Sequence, residues 1–218
     1  MNTSARFVVV ADTETGGLPN KDKRPFYDVA LVEVACVVVD CVQLKIVDEY
    51  SQIIAPYKDG LEYSPGAEAT HGLSYDHLCQ YGASVKDVYG DVKKILSTYK
   101  NPRIGAILAG HNFQIFDIPF FEGLFEFHKD NLWDYIKFVE DTMLWGWLRA
   151  TEQENYKLGT CCKQEKVQLV DAHRALNDTK ANAQLFIKYL EYLRGSGAAG
   201  EAAPTGMVPS RFRETFQL

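Results

Sequence analysis

Phe7-Val8-Val9-Val10-Ala11-Asp12-Thr13-Glu14-Thr15-Gly16-Gly17-Leu18 is the stretch from which the rest of the chain can be ordered. Its first five residues are apolar and mostly β-branched, which predicts a short buried strand. The strand is expected to end at Asp12–Gly17, where the paired glycines mark a turn. Asp12 and Glu14 stand two apart, and residues i and i+2 of an extended chain point to the same side. Both carboxylates can therefore face one point in space, which suits a shared hard cation.

Two more strands are predicted over residues 29–39 and 44–54, the first with Val29, Leu31, Glu33, Ala35 and Val37 on one face. Polar Asp40 and Gln43 fit a hairpin between them. Val85, Val88, Val92, Ile95 and Leu96 have helical spacing within a helix over 84–99. An apolar strand over 104–109 leads into an aromatic segment over 112–128, with Pro119 in a first helical turn, where proline is tolerated. Residues 138–140 read as a last short strand, and Asp141 or Thr142 as the N-cap of a helix over 143–150. Helices over 157–165 and 174–194 follow, the latter with Thr179, Ala183, Phe186, Ile187, Leu190 and Leu193 as its inner stripe.

A length of 218 residues fits one domain with an appendage. We place a catalytic domain over 1–194, a flexible linker of small residues over 195–206, and a tail over 207–218 that carries Arg211, Phe212, Arg213, Phe216 and Leu218. Hydrophobic residues make up 46% of the chain, which excludes disorder of the whole. The net charge of −6 excludes a protein that coats nucleic acid through a broad basic surface. No apolar run reaches the roughly 18–20 residues a membrane span needs. Residues 1–6 show no signal-peptide pattern, so the expected location is the cytoplasm. Five cysteines with no Cys-x-x-Cys spacing argue against a disulfide framework or a zinc ribbon, and predict free, packed thiols.

Two further acidic positions stand out. Asp117 closes Gly110-His111-Asn112-Phe113-Gln114-Ile115-Phe116-Asp117, a carboxylate in an aromatic stretch. Asp178 lies five residues after His173, at the start of the last helix. Each of these residues has a structural alternative. Asp12 could be a strand-end turn residue, Asp117 a helix cap near Pro119, and His173 a hydrogen-bonded histidine. Asp178 could pair with Lys180 or Arg174 on an exposed face. Their joint occurrence in this order is the rarer event.

With those three segments in place, the sequence resembles the DEDDh 3′–5′ exonucleases, the family of the bacterial DNA polymerase III proofreading subunit. The first motif is Asp12-Thr13-Glu14-Thr15-Gly16-Gly17-Leu18, the second Gly110–Asp117, and the third His173-Arg174-Ala175-Leu176-Asn177-Asp178-Thr179. His71-Gly72-Leu73-Ser74 and Asp141-Thr142 resemble segments between them. A histidine five before Asp178, rather than a tyrosine, favours the DEDDh branch. The resemblance implies an α/β ribonuclease-H-like fold, a five-stranded mixed sheet with an antiparallel second strand and helices on both faces. It also implies two divalent ions, Mg²⁺ or Mn²⁺.

The chemistry then follows from residue types. Two cations ~3.5–4 Å apart stabilise the attacking and leaving oxygens of a phosphodiester together. Asp12 is expected to bridge them, Glu14 and Asp178 to complete the ion that holds the attacking water, and Asp117 to act on the cluster directly or through water. His173 is expected to take the proton from that water, imidazole being the side chain suited to proton transfer near neutral pH. The family implies that the backbone around Thr13, Glu14 and Thr15 holds the 3′-hydroxyl. Leu18 is expected to pack on the terminal base, and His71 and Asn112 to touch sugar or phosphate, with a loop or cap histidine and a turn-stabilising asparagine as their alternatives. The aromatic cluster over 113–127 is read as core, with one member, Phe113 or Phe116, lining the pocket.

These readings predict a 3′–5′ exonuclease on single-stranded or frayed DNA ends, of the proofreading or repair type, that releases nucleoside monophosphates. The alternative enzyme is an exoribonuclease that trims RNA ends or clears short oligonucleotides. The alternative from another class is a binding module that kept the fold and lost activity, against which the intact acids and His173 argue. The tail is a candidate docking peptide for a polymerase, sliding clamp or helicase, and its alternative is a terminus without a partner.

Overall fold

The first strand extends well past its apolar run. In the computed structural model, which describes residues 6–19 and 21–195, β1 spans Phe7–Thr15. It continues through the acidic segment because β2 (Leu31–Asp40) pairs along its whole length, antiparallel, from Phe7↔Asp40 to Thr15↔Leu31, with a bulge after Glu14. β3 (Lys45–Ile53) forms the expected hairpin with β2. Asp40 builds its turn by accepting from the backbone N–H groups of Val42 and Gln43 at 2.9 and 3.1 Å. Arg6 binds the other oxygen of Asp40, and their hydrogen bond holds this carboxyl down at about 2.

The chain then makes α1 (Pro65–His71), α2 (Tyr75–Tyr81) and α3 (Val85–Tyr99). Only α3 is predicted from apolar spacing. The two short helices are defined by caps instead: Ser64 accepts from Ala67 N and Ser74 from His77 N, each at 3.2 Å. β4 (Ala106–Gly110) lies parallel to β1, and β5 (Ile136–Asp141) parallel to β4. Between them the aromatic segment is two helices, α4 (Phe113–Phe116) and α5 (Ile118–Phe127), with Asp117 at the joint and Pro119 in the first turn of α5. α6 (Thr142–Arg149), α7 (Leu158–Gln164) and α8 (Ala175–Leu193) complete the domain. Asp141 is the cap of α6, accepting from Met143 N at 2.9 Å.

The sheet order is β3-β2-β1-β4-β5 with β2 antiparallel to its neighbours, the expected five-stranded mixed sheet. Strand alternation feeds two cores. Val9, Ala11, Val34, Cys36 and Val38 face α3 and α5, where Phe120, Phe121, Leu124 and Phe125 are buried. Val8, Val10, Val37 and Val39 face Ala183 and Phe186 of α8. Each such aromatic or aliphatic side chain stabilises the fold by about 1.5–3 kcal/mol through burial. The inner stripe of α8 differs from the predicted one at its end. Leu193 is exposed, while Ala181, Leu185 and Tyr189 are buried because the helix also packs against Cys161 and Cys162 of α7. All five cysteines are free, and four are buried as expected, whereas Cys79 on α2 is exposed. Among the described residues no helix is long and apolar enough to cross a membrane. The tail over 207–218, and the linker from residue 196 on, lie outside the described residues.

Candidate active site

The two faces of β1 bring different acids to one end of the sheet. Asp12 and Glu14 continue the face of Val8 and Val10, which α8 covers. Asp178 sits in the first turn of α8 and meets them there. One oxygen from each of Asp12, Glu14 and Asp178 can be chosen so that all three lie within 4.8 Å of one another. Thr13 continues the opposite face, towards α5, and there it reaches Asp117. Both the backbone N–H and the hydroxyl of Thr13 donate to Oδ1 of Asp117, at 3.0 and 2.6 Å. Asp117 is buried and occupies the N-cap position of α5 without making a cap bond, so the helix-cap alternative fails. Asp117 stands outside the group of three.

The electrostatics of this cluster are unfavourable. Burial, then the charges of Asp117, Glu14, Asp178 and Glu33, push Asp12 well above the usual carboxylate range. Glu14 is pushed up to about 8, by burial first and then by Asp178, Glu33 and Asp117. Burial raises Asp117 to about 7 although the two bonds from Thr13 oppose the rise. Asp178 is also raised by burial, against the backbone N–H it accepts from His173. The alternative ion pairs of Asp178 do not form: Lys180 pairs with Glu49 and Arg174 with Glu33. Four carboxyl groups gathered together do not stabilise a fold, and the cation that bears on Glu14, Arg174, is already paired to Glu33. The arrangement is what a hard divalent cation would relieve, and the all-oxygen donor set fits one.

His173 is exposed and holds a left-handed backbone, φ 71°. Its N–H donates to Oδ2 of Asp178 at 3.0 Å, so the histidine and the acid are locked five residues apart. Beside the acids lies a cavity of about 500 Å³ lined in part by Glu14, Thr15, Leu18, Lys23, His71 and Phe116. Leu18 is 77% exposed at its mouth.

The predicted substrate contacts divide. Leu18 and His71 line the cavity, as do Thr13 and Thr15. The threonine hydroxyl protons are already donated, Thr13 to Asp117 and Thr15 to the Gly17 carbonyl, so neither hydroxyl has a donor left for a ligand. His71 is mostly buried, and its Nδ1 accepts from Leu73 N at 3.0 Å. Burial pulls its ring down, opposed by Glu33 and the Thr15 backbone. Phe113 must be corrected. It is fully buried, 2.2 Å from where a Cβ on Gly110 would stand, and packs on Phe121. Phe116 is the member that lines the cavity. Asn112 adopts φ 58°, which asparagine tolerates, and its N–H donates to Asp141 at 2.9 Å. It turns β4 into α4 and does not line the cavity.

Gly16 and Gly17 do not supply the positive φ of a tight turn. They allow a close approach. A Cβ on Gly16 would lie 2.0 Å from the Glu62 carbonyl oxygen, and one on Gly17 2.9 Å from the Glu62 carboxyl carbon. That approach lets Ser64 N donate to the Gly16 carbonyl at 2.6 Å and sets the far wall of the cavity. Lys23 and Glu62, an ion pair at 2.7 Å in that wall, are not signalled in the sequence, because neither belongs to a motif or a periodic element.

Residues 9–186 match the family model described as Exonuclease, RNase_T. The chain is 33% identical over 184 residues to a PolC-type DNA polymerase III of Lacticaseibacillus paracasei, covering 84% of this chain. It is 29% identical over 187 residues to the PolC-type enzyme of Bacillus subtilis, again covering 84% of this chain. In both cases the chain spans only 11% of the relative's length. Among solved structures, the fold resembles E. coli exonuclease I in complex with a dT13 oligonucleotide, TM-score 0.68 at 15% identity over 88% of this chain and 42% of that one. The zinc-bound exonuclease I–single-stranded DNA complex gives a TM-score of 0.70, likewise at 15% identity, over 88% and 42%.

Proposed function

The chain belongs to the exonuclease family, and from that premise we propose that it is a metal-dependent 3′–5′ exonuclease acting on single-stranded or frayed DNA ends. The observation that carries this reading is the convergence of Asp12, Glu14 and Asp178 within 4.8 Å, with Asp117 joined to the same strand through Thr13. The PolC-type DNA polymerase relatives, and the oligonucleotide in the exonuclease I complex, support DNA as the substrate.

In this reading Asp12, Glu14 and Asp178 hold the ions, and the second oxygen of Asp117 completes the cluster. When bound, two Mg²⁺ or Mn²⁺ ions supply a more acidic water and offset the charge that develops on the attacking and leaving oxygens. His173, exposed beside Asp178, takes the proton from the attacking water at its imidazole, a role that contributes ~10²–10⁴-fold. The backbone of Thr13–Thr15 binds the 3′-hydroxyl. Leu18 and Phe116 pack the terminal base in the cavity, which is of a size for one nucleotide. A nucleoside monophosphate is released. The domain over 1–194 is the catalytic unit, and it works beside a polymerase, as its PolC-type relatives suggest. Contact through the tail over 207–218 with a polymerase or clamp belongs to residues outside those described.

The test is hydrolysis with Mg²⁺ of 3′-labelled single-stranded DNA, mismatched and paired duplex ends, and matched RNA, with Asp12→Ala as control. Faster loss of single-stranded and mismatched DNA is expected. Cleavage of RNA alone would overturn the DNA assignment in favour of an exoribonuclease. No hydrolysis of any 3′ end in saturating Mn²⁺ would leave a binding module.

A further inference from the structure

Glu33 stands among the apolar residues of β2, whose other acid, Asp40, closes the strand at its far end; Glu33 is 2% exposed and directly across the strand pair from Glu14. A charge so placed is costly unless it is paired and hydrogen-bonded. Its partners all lie on two elements. Ser51 of β3 donates to Oε1 at 2.9 Å. Arg174 donates from Nε to Oε2 and from Nη2 to Oε1, both at 3.2 Å, and Ala175 N donates to Oε2 at 3.3 Å. Glu33 therefore caps α8 from across the sheet, at an N-terminus whose own N-cap residue, Arg174, supplies no side-chain cap.

Arg174 directly follows His173. The segment leading to it is under backbone strain, with positive φ at Lys166, Asp171 and His173. The His173 side chain makes no hydrogen bond among the described residues. Its place is set by its backbone, held on one side by the bond to Asp178 and on the other by Arg174 on Glu33.

We infer that Glu33 is a positioning residue: through Arg174 and Ala175 it fixes the backbone from which His173 reaches the Asp12–Glu14–Asp178 cluster. This rests on the reading of His173 as proton acceptor. Glu33 does not touch the reacting atoms. Its charge also bears on Asp12 and Glu14, so a neutral substitution at Glu33 alters the acids as well, whereas a substitution of Arg174 that keeps both charges isolates the positioning role.

The test is a double-mutant cycle on 3′-labelled single-stranded DNA with Mg²⁺. Glu33→Gln keeps the side chain's size and an acceptor for Ser51 but loses the ionic fork with Arg174. It is expected to lower kcat about 10- to 100-fold, the cost of a misplaced catalytic group. KM should stay within about 2-fold, as for loss of an interaction that matters to the chemical step. The Mn²⁺ activation midpoint is read in Arg174→Lys, which leaves both charges in place, and should not move there. In a His173→Ala background Glu33→Gln should cost less than about 2-fold, because the group it positions is gone. Arg174→Lys keeps both charges and removes the fork, and is expected to give the same loss of kcat even where Glu33→Gln fails to fold. Additive losses, a shifted Mn²⁺ midpoint in Arg174→Lys, or an unchanged kcat would overturn the positioning role while leaving His173 as the base. A wild-type rate in His173→Ala would instead overturn the base itself, and the positioning role with it.

Discussion

Thr13 and Asp117, 104 residues apart in sequence, share one oxygen: the backbone N–H and the hydroxyl of Thr13 both donate to Oδ1 of Asp117. This fixes the carboxylate from the second motif to the strand that carries the first. Thr13→Val keeps the shape and removes the hydroxyl donor. Loss of a buried bond to a charged group costs about 1–3 kcal/mol. The expected outcome is that much loss of unfolding free energy in urea at an unchanged m value, together with a reduced rate. Full stability with full activity would show that the pair holds nothing in place.

A second prediction concerns pH. Glu14 is raised from 4.5 to about 8 and Asp117 from 3.8 to about 7, with Asp12 raised as well. Raised acids bind more protons in the folded state than in the unfolded chain, so stability falls as pH rises. Without metal, the contribution is fully present below about pH 4 and is lost progressively up to about pH 8. Added Mg²⁺ binds the ionised acids and works against this loss. Thermal unfolding in chelator and in Mg²⁺ should therefore show a Tm gap that is small at pH 5 and wide at pH 8. An equal gap at both pH values would mean that these acids do not bind the metal.

Much of this site was legible because β1 carries its own signal. A strand's period of two places Asp12 and Glu14 on one face without further knowledge, and the order of the three motifs supplies Asp117 and Asp178. What the sequence hides is which side chains are already engaged. Thr13 and Phe113 stand inside motifs and look available, yet one is bonded to Asp117 and the other is buried against Phe121. α1 and α2 are seven residues each, too short for apolar spacing to register, although Ser64-Pro65 and Ser74 mark their starts. Glu33 was readable in principle. A lone carboxylate in an apolar strand must find a partner, but only the fold shows that the partner is Arg174.

Asp12→Asn separates catalysis from stability. Removing the central carboxylate relieves repulsion with Asp117, Glu14 and Asp178. In chelator at pH 8 the variant should melt above the wild type, as expected where a functional site is held at the expense of the fold. Its rate should fall by at least about 10²-fold, the scale for removing one preorganised electrostatic group. Differential scanning calorimetry beside the DNA assay checks both. A variant that is both less active and less stable would place Asp12 in a structural role.

Gly16 and Gly17 adjoin each other, yet alanine should act differently at the two positions. At Gly16 the added Cβ meets the Glu62 carbonyl oxygen at 2.0 Å, a backbone atom that moves only if the segment bonded to Ala30 N and the neighbouring Ser64 N moves with it. At Gly17 it meets the Glu62 carboxyl group at 2.9 Å, the end of a flexible side chain. Overpacking against rigid structure costs about 1–3 kcal/mol. Gly16→Ala should pay most of that and displace the cavity wall, raising KM for the oligonucleotide. Gly17→Ala should cost less stability, because Glu62 can swing aside and give up its half-buried pair with Lys23, a contact worth about 1 kcal/mol. Urea unfolding and KM measured on both variants check this, and equal effects at the two positions would show that the wall is not held through the Glu62 backbone.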